Sequence, residues 1–197
     1  MTDSSGFSRR HFLTAATAVT AGAGAAATAV PFVASFKPSA RAQALGAPVQ
    51  RDVSRLEPGA MVRVEWRGRV IFIVRRTQAM LTKLGEITDM LADPNSENTE
   101  QQPEYAANEF RSIRPEYLVV EGVCTHFGCA PVARFELGPA DLGADWPGGF
   151  FCPCHGSKFD LAGRVFNSVP APSNLVVPPY RFVNETTILI GVDEGSA

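Results

Sequence analysis

Cysteine and histidine are scarce in this chain: four cysteines and three histidines among 197 residues. Charge of one sign does not accumulate either, since 18 basic residues face 20 acidic ones, for a formal net charge of −2. No basic patch is interleaved with aromatics, so nothing points to a nucleic-acid partner. There is no internal repeat, and no low-complexity tract outside one Ala-rich segment near the N-terminus. Charge is missing altogether from Phe12 to about Phe36. Setting aside the first 48 residues leaves about 150, enough for a single core, so the chain reads as one modest globular domain on a stalk.

The little cysteine present lies in two boxes, Cys124-Thr125-His126-Phe127-Gly128-Cys129 and Cys152-Pro153-Cys154-His155-Gly156-Ser157, which also hold two of the three histidines. Each box offers one Cys-His pair and one further Cys. In Cys-x-His the two side chains can converge on one metal from a single tight loop. In Cys-Pro-Cys-His the first Cys and the His stand three apart, a spacing that a second turn can also bring together. Two thiolates with two imidazoles suit either tetrahedral zinc or a mixed-ligand iron–sulfur cluster. Two plain disulfides would use the cysteines but leave both histidines unexplained.

These boxes closely resemble those of the Rieske 2Fe–2S family, and within it the high-potential iron–sulfur subunits of bacterial quinol–cytochrome c oxidoreductases. The resemblance runs along the whole chain and is most specific in the boxes. It implies that Cys124 and Cys152 ligate one iron and His126 and His155 the other. It further implies a disulfide between Cys129 and Cys154, tying the two loops together. Gly128 and Gly156 suit loops that wrap closely around a cluster. Ser157 matches a family serine whose hydroxyl donates to a bridging sulfide; such donors stabilise the reduced cluster and raise its potential. Val169-Pro170-Ala171-Pro172 resembles the family's proline loop, which shields the third side of the cluster. Three positions depart from the commonest pattern. Phe159 stands where many members carry a Tyr that donates to the first-box Cys ligand, which implies a lower potential. Phe127 replaces a Leu that caps the cluster tip, and Val169 replaces a Gly.

The N-terminus carries separate information. Ser8-Arg9-Arg10-His11-Phe12-Leu13 resembles a twin-arginine signal, the export route of proteins that load cofactors before crossing the membrane. The uncharged span after it has about 25 residues, or about 37 Å as a helix, against about 30 Å of hydrocarbon. It is either retained as a single anchor, as in bc-complex relatives and as favoured here, or cut near Ala40-Arg41-Ala42. The expected organisation is a cytoplasmic twin-arginine segment (1–11), a transmembrane signal-anchor (12–36), a flexible hinge linker (37–48) and a periplasmic head (49–197). Arg9 and Arg10 kept inside place the head outside a bacterial inner membrane. That compartment permits the Cys129–Cys154 bridge.

The head reads as mainly β, an antiparallel sandwich-like fold with a cluster-binding subdomain. Met61–Trp66 alternates apolar and polar residues, Arg67-Gly68 makes a hairpin turn, and Arg69–Arg76 returns. Thr77–Leu84 predicts a short helix, and Asp93–Glu104 a polar surface loop. Further strands are expected at Tyr117–Glu121, near Phe150, at Arg164–Phe166, Leu175–Val183 and Thr186–Val192. Between the boxes, Glu136, Asp141 and Asp145 read as a solvated loop.

Taken together, the resemblance implies a respiratory electron-transfer subunit. Its 2Fe–2S cluster would take one electron from ubiquinol at the outer quinol site, with a proton, and pass the electron to a c-type cytochrome. The second electron would go to cytochrome b, within a dimeric complex. His155 is the ligand expected to meet the quinol hydroxyl, with His126 beside it at the exposed tip. Two other readings stay open: the Rieske small subunit of a periplasmic molybdenum oxidase of the arsenite oxidase type, and an exported zinc-binding domain. A soluble Rieske ferredoxin would generally lack the extra Cys pair and the anchor.

Overall fold

A computed structural model describes residues 8–192, so the first seven residues of the expected 1–11 segment and the last five of the head lie outside the described residues. The chain divides into two compact units, residues 1–44 and 45–197.

The first unit is built on helix α1, Arg9–Ser35. Ser8 caps it, accepting a hydrogen bond from the His11 amide at 3.4 Å. At 27 residues it is about 40 Å long, and it is apolar enough to cross a membrane. Its threonines do not leave free hydroxyls: Thr14, Thr17, Thr20 and Thr28 each donate to the carbonyl four residues back, at 2.7–3.0 Å. That internal satisfaction is what a polar side chain needs in hydrocarbon. Pro31 lies in the last two turns of α1, where it removes one backbone N–H donor. A short helix α2, Ala40–Gly46, follows.

The second unit holds three antiparallel three-stranded sheets. Strands β2 (Met61–Trp66) and β3 (Arg69–Arg75) form the expected hairpin, with Trp66 opposite Arg69. Arg67 and Gly68 both have positive φ, the backbone of a type I′ turn, whose twist matches its strands. β4 (Tyr117–Glu121) adds to the far side of β3. Ile71–Val74 is buried on both faces in mid-sheet, which explains its unbroken apolar run. A second sheet has the order β1-β9-β8, from β1 (Val49–Asp52), β8 (Tyr180–Phe182) and β9 (Thr187–Ile190). Residues of both sheets share one core, including Ile71, Val119, Tyr180, Ile188 and Ile190.

The third sheet, β5 (Val132–Arg134), β6 (Gly149–Cys152) and β7 (Ser157–Phe159), is a small subdomain carrying both ends of the second box. Phe150 stacks on Phe72 at 5.6 Å and locks this sheet to β3. Helix α3, expected over Thr77–Leu84, is Gln78–Glu86, with Thr77 as its cap rather than its first residue. Two expected strands shrink: Arg164–Phe166 contributes only isolated bridges, and of Leu175–Val183 only Tyr180–Phe182 pairs. β1, β5 and β7 are three or four residues long and were not anticipated.

A buried polar knot fastens the turn that follows β7. Asp160 accepts from the amides of Ala162 (2.8 Å) and Arg164 (2.7 Å), and from Arg164 Nε (2.7 Å). Arg164 reaches on to the carbonyls of Leu84 and Pro94. Arg76 donates to Leu161 O and Arg111 to Ala162 O, so three buried guanidiniums converge on residues 160–164. Burial pulls the Arg76 and Arg111 guanidiniums down to about 10, against the opposing pull of Asp160.

Candidate metal centre

The two boxes fold into matching loops. In the first, the Cys124 amide donates to Cys129 O (2.8 Å) and the Gly128 amide returns to Cys124 O (2.9 Å). In the second, the Gly156 amide donates to Cys152 O (3.0 Å), and Cys152 pairs with Ser157 across β6 and β7. Gly128 (φ +81°) and Gly156 (φ +79°) each sit four residues after the box's first cysteine, in a left-handed conformation that lets the chain double back.

Folding places the four candidate ligands at two depths. Cys124 and Cys152 lie at the base, each 2% exposed and with free thiols. His126 is half-buried and His155 exposed. Their rings meet nearly perpendicular, with centroids 4.7 Å apart. Phe127, 79% exposed, lies over His126 at 4.0 Å and edge-on to His155 at 6.0 Å. Its apolar tip is therefore outward, beside both imidazoles.

Cys129 and Cys154 are joined by a disulfide that clamps loop to loop. The sulfurs of Cys129, Cys152 and Cys154 all lie within 4.8 Å of one another, but the two bridged sulfurs are already bonded, so of that group Cys152 alone has a free thiol. Burial pushes the Cys124 thiol up, and the His126 backbone N–H works against that by stabilising the thiolate.

Whether these residues suit a metal group rests on one atom above all. Nδ1 of His126 is buried and has no hydrogen-bond partner among the described residues. A buried ring nitrogen left unpaired is costly unless something else takes its lone pair. It lies in a site with two buried thiols and a second imidazole, a donor set that fits two thiolate and two imidazole ligands.

The proline loop is bolted to both boxes. Thr125 Oγ1 donates to Ser173 O at 2.6 Å, and the Ala171 amide donates to Ser157 Oγ at 3.1 Å. Asn174, fully buried, accepts from the Val165 amide at 2.8 Å and donates to Asp93. Neither Thr125 nor Asn174 was singled out in the sequence. Thr125 had a signal, a hydroxyl between two candidate ligands; Asn174 had none. Phe159 is fully buried, in the same core as Phe150, Cys124 and Cys152.

Glu136, Asp141 and Asp145 between the boxes are exposed, as expected of a solvated loop, and two of them are cross-linked by one arginine. Arg134 makes a two-pronged bond to Asp141, 2.7 Å on each arm, and also pairs with Glu136. Trp146 donates to Arg134 O at 3.0 Å and stacks on Phe166, so the loop closes on its own small cluster.

Comparison with known proteins finds the following similarities. Residues 48–181 match the family model described as "Rieske [2Fe-2S] domain", and residues 1–39 match "Ubiquitinol-cytochrome C reductase Fe-S subunit TAT signal". The ubiquinol-cytochrome c reductase iron-sulfur subunit of Allochromatium vinosum is 59% identical over 189 residues, spanning 96% of this chain and 91% of that protein. The subunit of the same name from Blastochloris viridis is 44% identical, covering 96% of each. A chain of a structure titled "Hyperthermophilic respiratory Complex III" aligns with a TM-score of 0.48 at 22% identity, covering 89% of this chain and 97% of that one.

Proposed function

This chain belongs to the Rieske [2Fe-2S] family, among the iron–sulfur subunits of ubiquinol–cytochrome c reductase, and we propose that it oxidises ubiquinol in a respiratory cytochrome bc complex. The full-length likeness to such subunits favours this over the molybdenum-oxidase reading. Its cofactor is a Rieske-type 2Fe–2S cluster, and its partners include cytochromes.

Cys124 and Cys152 would hold one iron and His126 and His155 the other, with Ser157 as a hydrogen-bond donor to the cluster. When bound, the cluster takes up and releases one electron at a time. The protein supplies the rest. The bridge between Cys129 and Cys154 keeps the loops in register. His155, exposed at the tip, accepts the quinol hydroxyl's proton at a ring nitrogen, and His126 stands beside it. Phe127 offers the quinol pocket an apolar edge. The buried thiols and proline loop keep water from the base.

Residues 1–11 stay in the cytoplasm, 12–36 cross the inner membrane once, 37–48 form the hinge, and 49–197 are the periplasmic head. There the head meets the cytochrome b subunit at the outer quinol site and then a c-type cytochrome, in a dimeric complex. The observation that carries this reading is the pair of perpendicular imidazoles, one with its Nδ1 buried and unpartnered and the other open to solvent. The test is an EPR spectrum of reduced membranes with and without a quinol-site inhibitor. A rhombic signal averaging below g = 2 that changes shape with inhibitor is expected. A signal indifferent to the inhibitor refutes the quinol site, and bound zinc without a signal refutes the cluster.

A further inference from the structure

Ser157 has no exposed surface, and its hydroxyl carries one hydrogen and two lone pairs. One lone pair is engaged by the Ala171 amide at 3.1 Å. In the β6–β7 pairing Ser157 stands directly opposite Cys152, so the two side chains share one face of the sheet. We propose that the Ala171 backbone amide is a positioning group: it orients the Ser157 hydroxyl so that its hydrogen points to the cluster side, and strengthens it as a donor. This rests on the reading of Ser157 as a donor to the cluster.

Three observations support the assignment. First, an amide donating into the serine oxygen removes the alternative in which the hydroxyl turns towards the proline loop. Second, a hydroxyl that accepts one hydrogen bond is polarised and donates a stronger one, an effect of roughly 10–30% per bond. Third, the amide is held still. Its neighbours Pro170 and Pro172 have restricted φ and no N–H. The loop is fastened on one side by Thr125 Oγ1 to Ser173 O, and on the other by Asn174 to Val165 and Asp93. Ala171 itself is 5% exposed, so water does not compete for the serine lone pair.

The test is a redox titration of the cluster, followed by EPR, in the full-length protein and four variants. Ser157→Ala is expected to lower the potential. Ala171→Pro, which deletes the amide hydrogen, should lower it by a smaller amount, and should add nothing in the Ser157→Ala background. Ala171→Gly, which keeps the amide, should retain the original potential. If Ser157→Ala leaves the potential unchanged, the underlying reading of Ser157 falls. If Ser157→Ala lowers it while Ala171→Pro does not, or Ala171→Pro acts equally without Ser157, the positioning role falls alone.

Should Ala171→Pro fail to load its cluster, amide exchange decides the matter. A peptide of residues 169–173 reports only the amides of Ala171 and Ser173, since its first residue becomes an amine and the two prolines have none. One slow amide in the native protein that becomes fast in Ser157→Ala supports the proposal. An equally fast amide in both overturns it.

Discussion

Asp160→Asn removes one charge from the buried knot behind the second box and puts an amide donor where Oδ2 accepts from Arg164 Nε. The amide oxygen of Asn can still accept the Ala162 and Arg164 N–H bonds that Asp160 Oδ1 accepts at 2.8 and 2.7 Å. What is lost is the anion facing Arg164 Nε at 2.7 Å, in a pair with no solvent exposure on either side chain. Three buried guanidiniums, Arg76, Arg111 and Arg164, then converge on the turn without their counter-ion. Breaking a buried pair on one side costs about 3–5 kcal/mol, because the remaining charge is stranded. The retained amide bonds place this case at the lower end, near 3 kcal/mol. For a domain of this size each kcal/mol moves the melting temperature by roughly 2–4 °C, so a fall of about 6–12 °C is expected. The assay is thermal unfolding of the full-length protein in detergent, followed by far-ultraviolet circular dichroism and by cluster absorbance. Both signals should shift together, since the turn continues directly from β7 and Ser157. A fall of less than about 2 °C would show that the carbonyl bonds of the arginines, not the ion pair, secure the turn.

Two further outcomes are expected. Phe159→Tyr should raise the cluster potential if a hydroxyl there reaches the Cys124 sulfur, by on the order of 40 mV for about 1 kcal/mol of added bonding in the reduced state; an unchanged potential in redox titration refutes the role assigned to that position. The Arg134 clamp should open in acid: Arg134 holds the carboxyls of Glu136 and Asp141 below their ordinary range, so the stability they lend is present above that range and disappears as pH falls through their lowered values, below about pH 4. Because Trp146 donates to Arg134 O, its emission should shift to the red on that descent, and Arg134→Gln should abolish the transition; native emission that stays flat from about pH 4 down to the onset of acid unfolding contradicts the clamp.

Legibility in the sequence followed the kind of force that makes each element. The β2–β3 hairpin was readable because its information is local: alternation, a two-residue turn, and a run of Val and Ile long enough to show a period. α3 was readable for the same reason, with Thr77 as its cap. β1, β5 and β7 escaped notice because three or four residues cannot display a period, and their strand character comes from their partners: β9 at the far end of the chain for β1, and β6 for β5 and β7. Val49–Asp52 exists as a strand because Thr187–Ile190 lies beside it. Conversely, Arg164–Phe166 looked like a strand by composition, but Arg164 is committed to Asp160, which bends the chain into a turn. An ion pair overrode propensity there.

The site divides along the same line. The cysteines and histidines stood out as candidate ligands because metal ligation demands those residue types, and few others can substitute. The groups that hold the ligands did not, because holding requires only a hydrogen bond at a given point in space, and many residues or a bare amide can supply one. Thr125, Asn174 and the Ala171 amide are of this second kind. Asn174 stabilises the proline loop by accepting from Val165, nine residues earlier, and no spacing rule announces that contact. The same argument explains why Phe159 was recognisable only as a departure. A phenylalanine in a core strand is ordinary, and its meaning comes from lying in one core with Cys124 and Cys152. Ligands are therefore legible one residue at a time, whereas what tunes them becomes visible only when the loops are folded together.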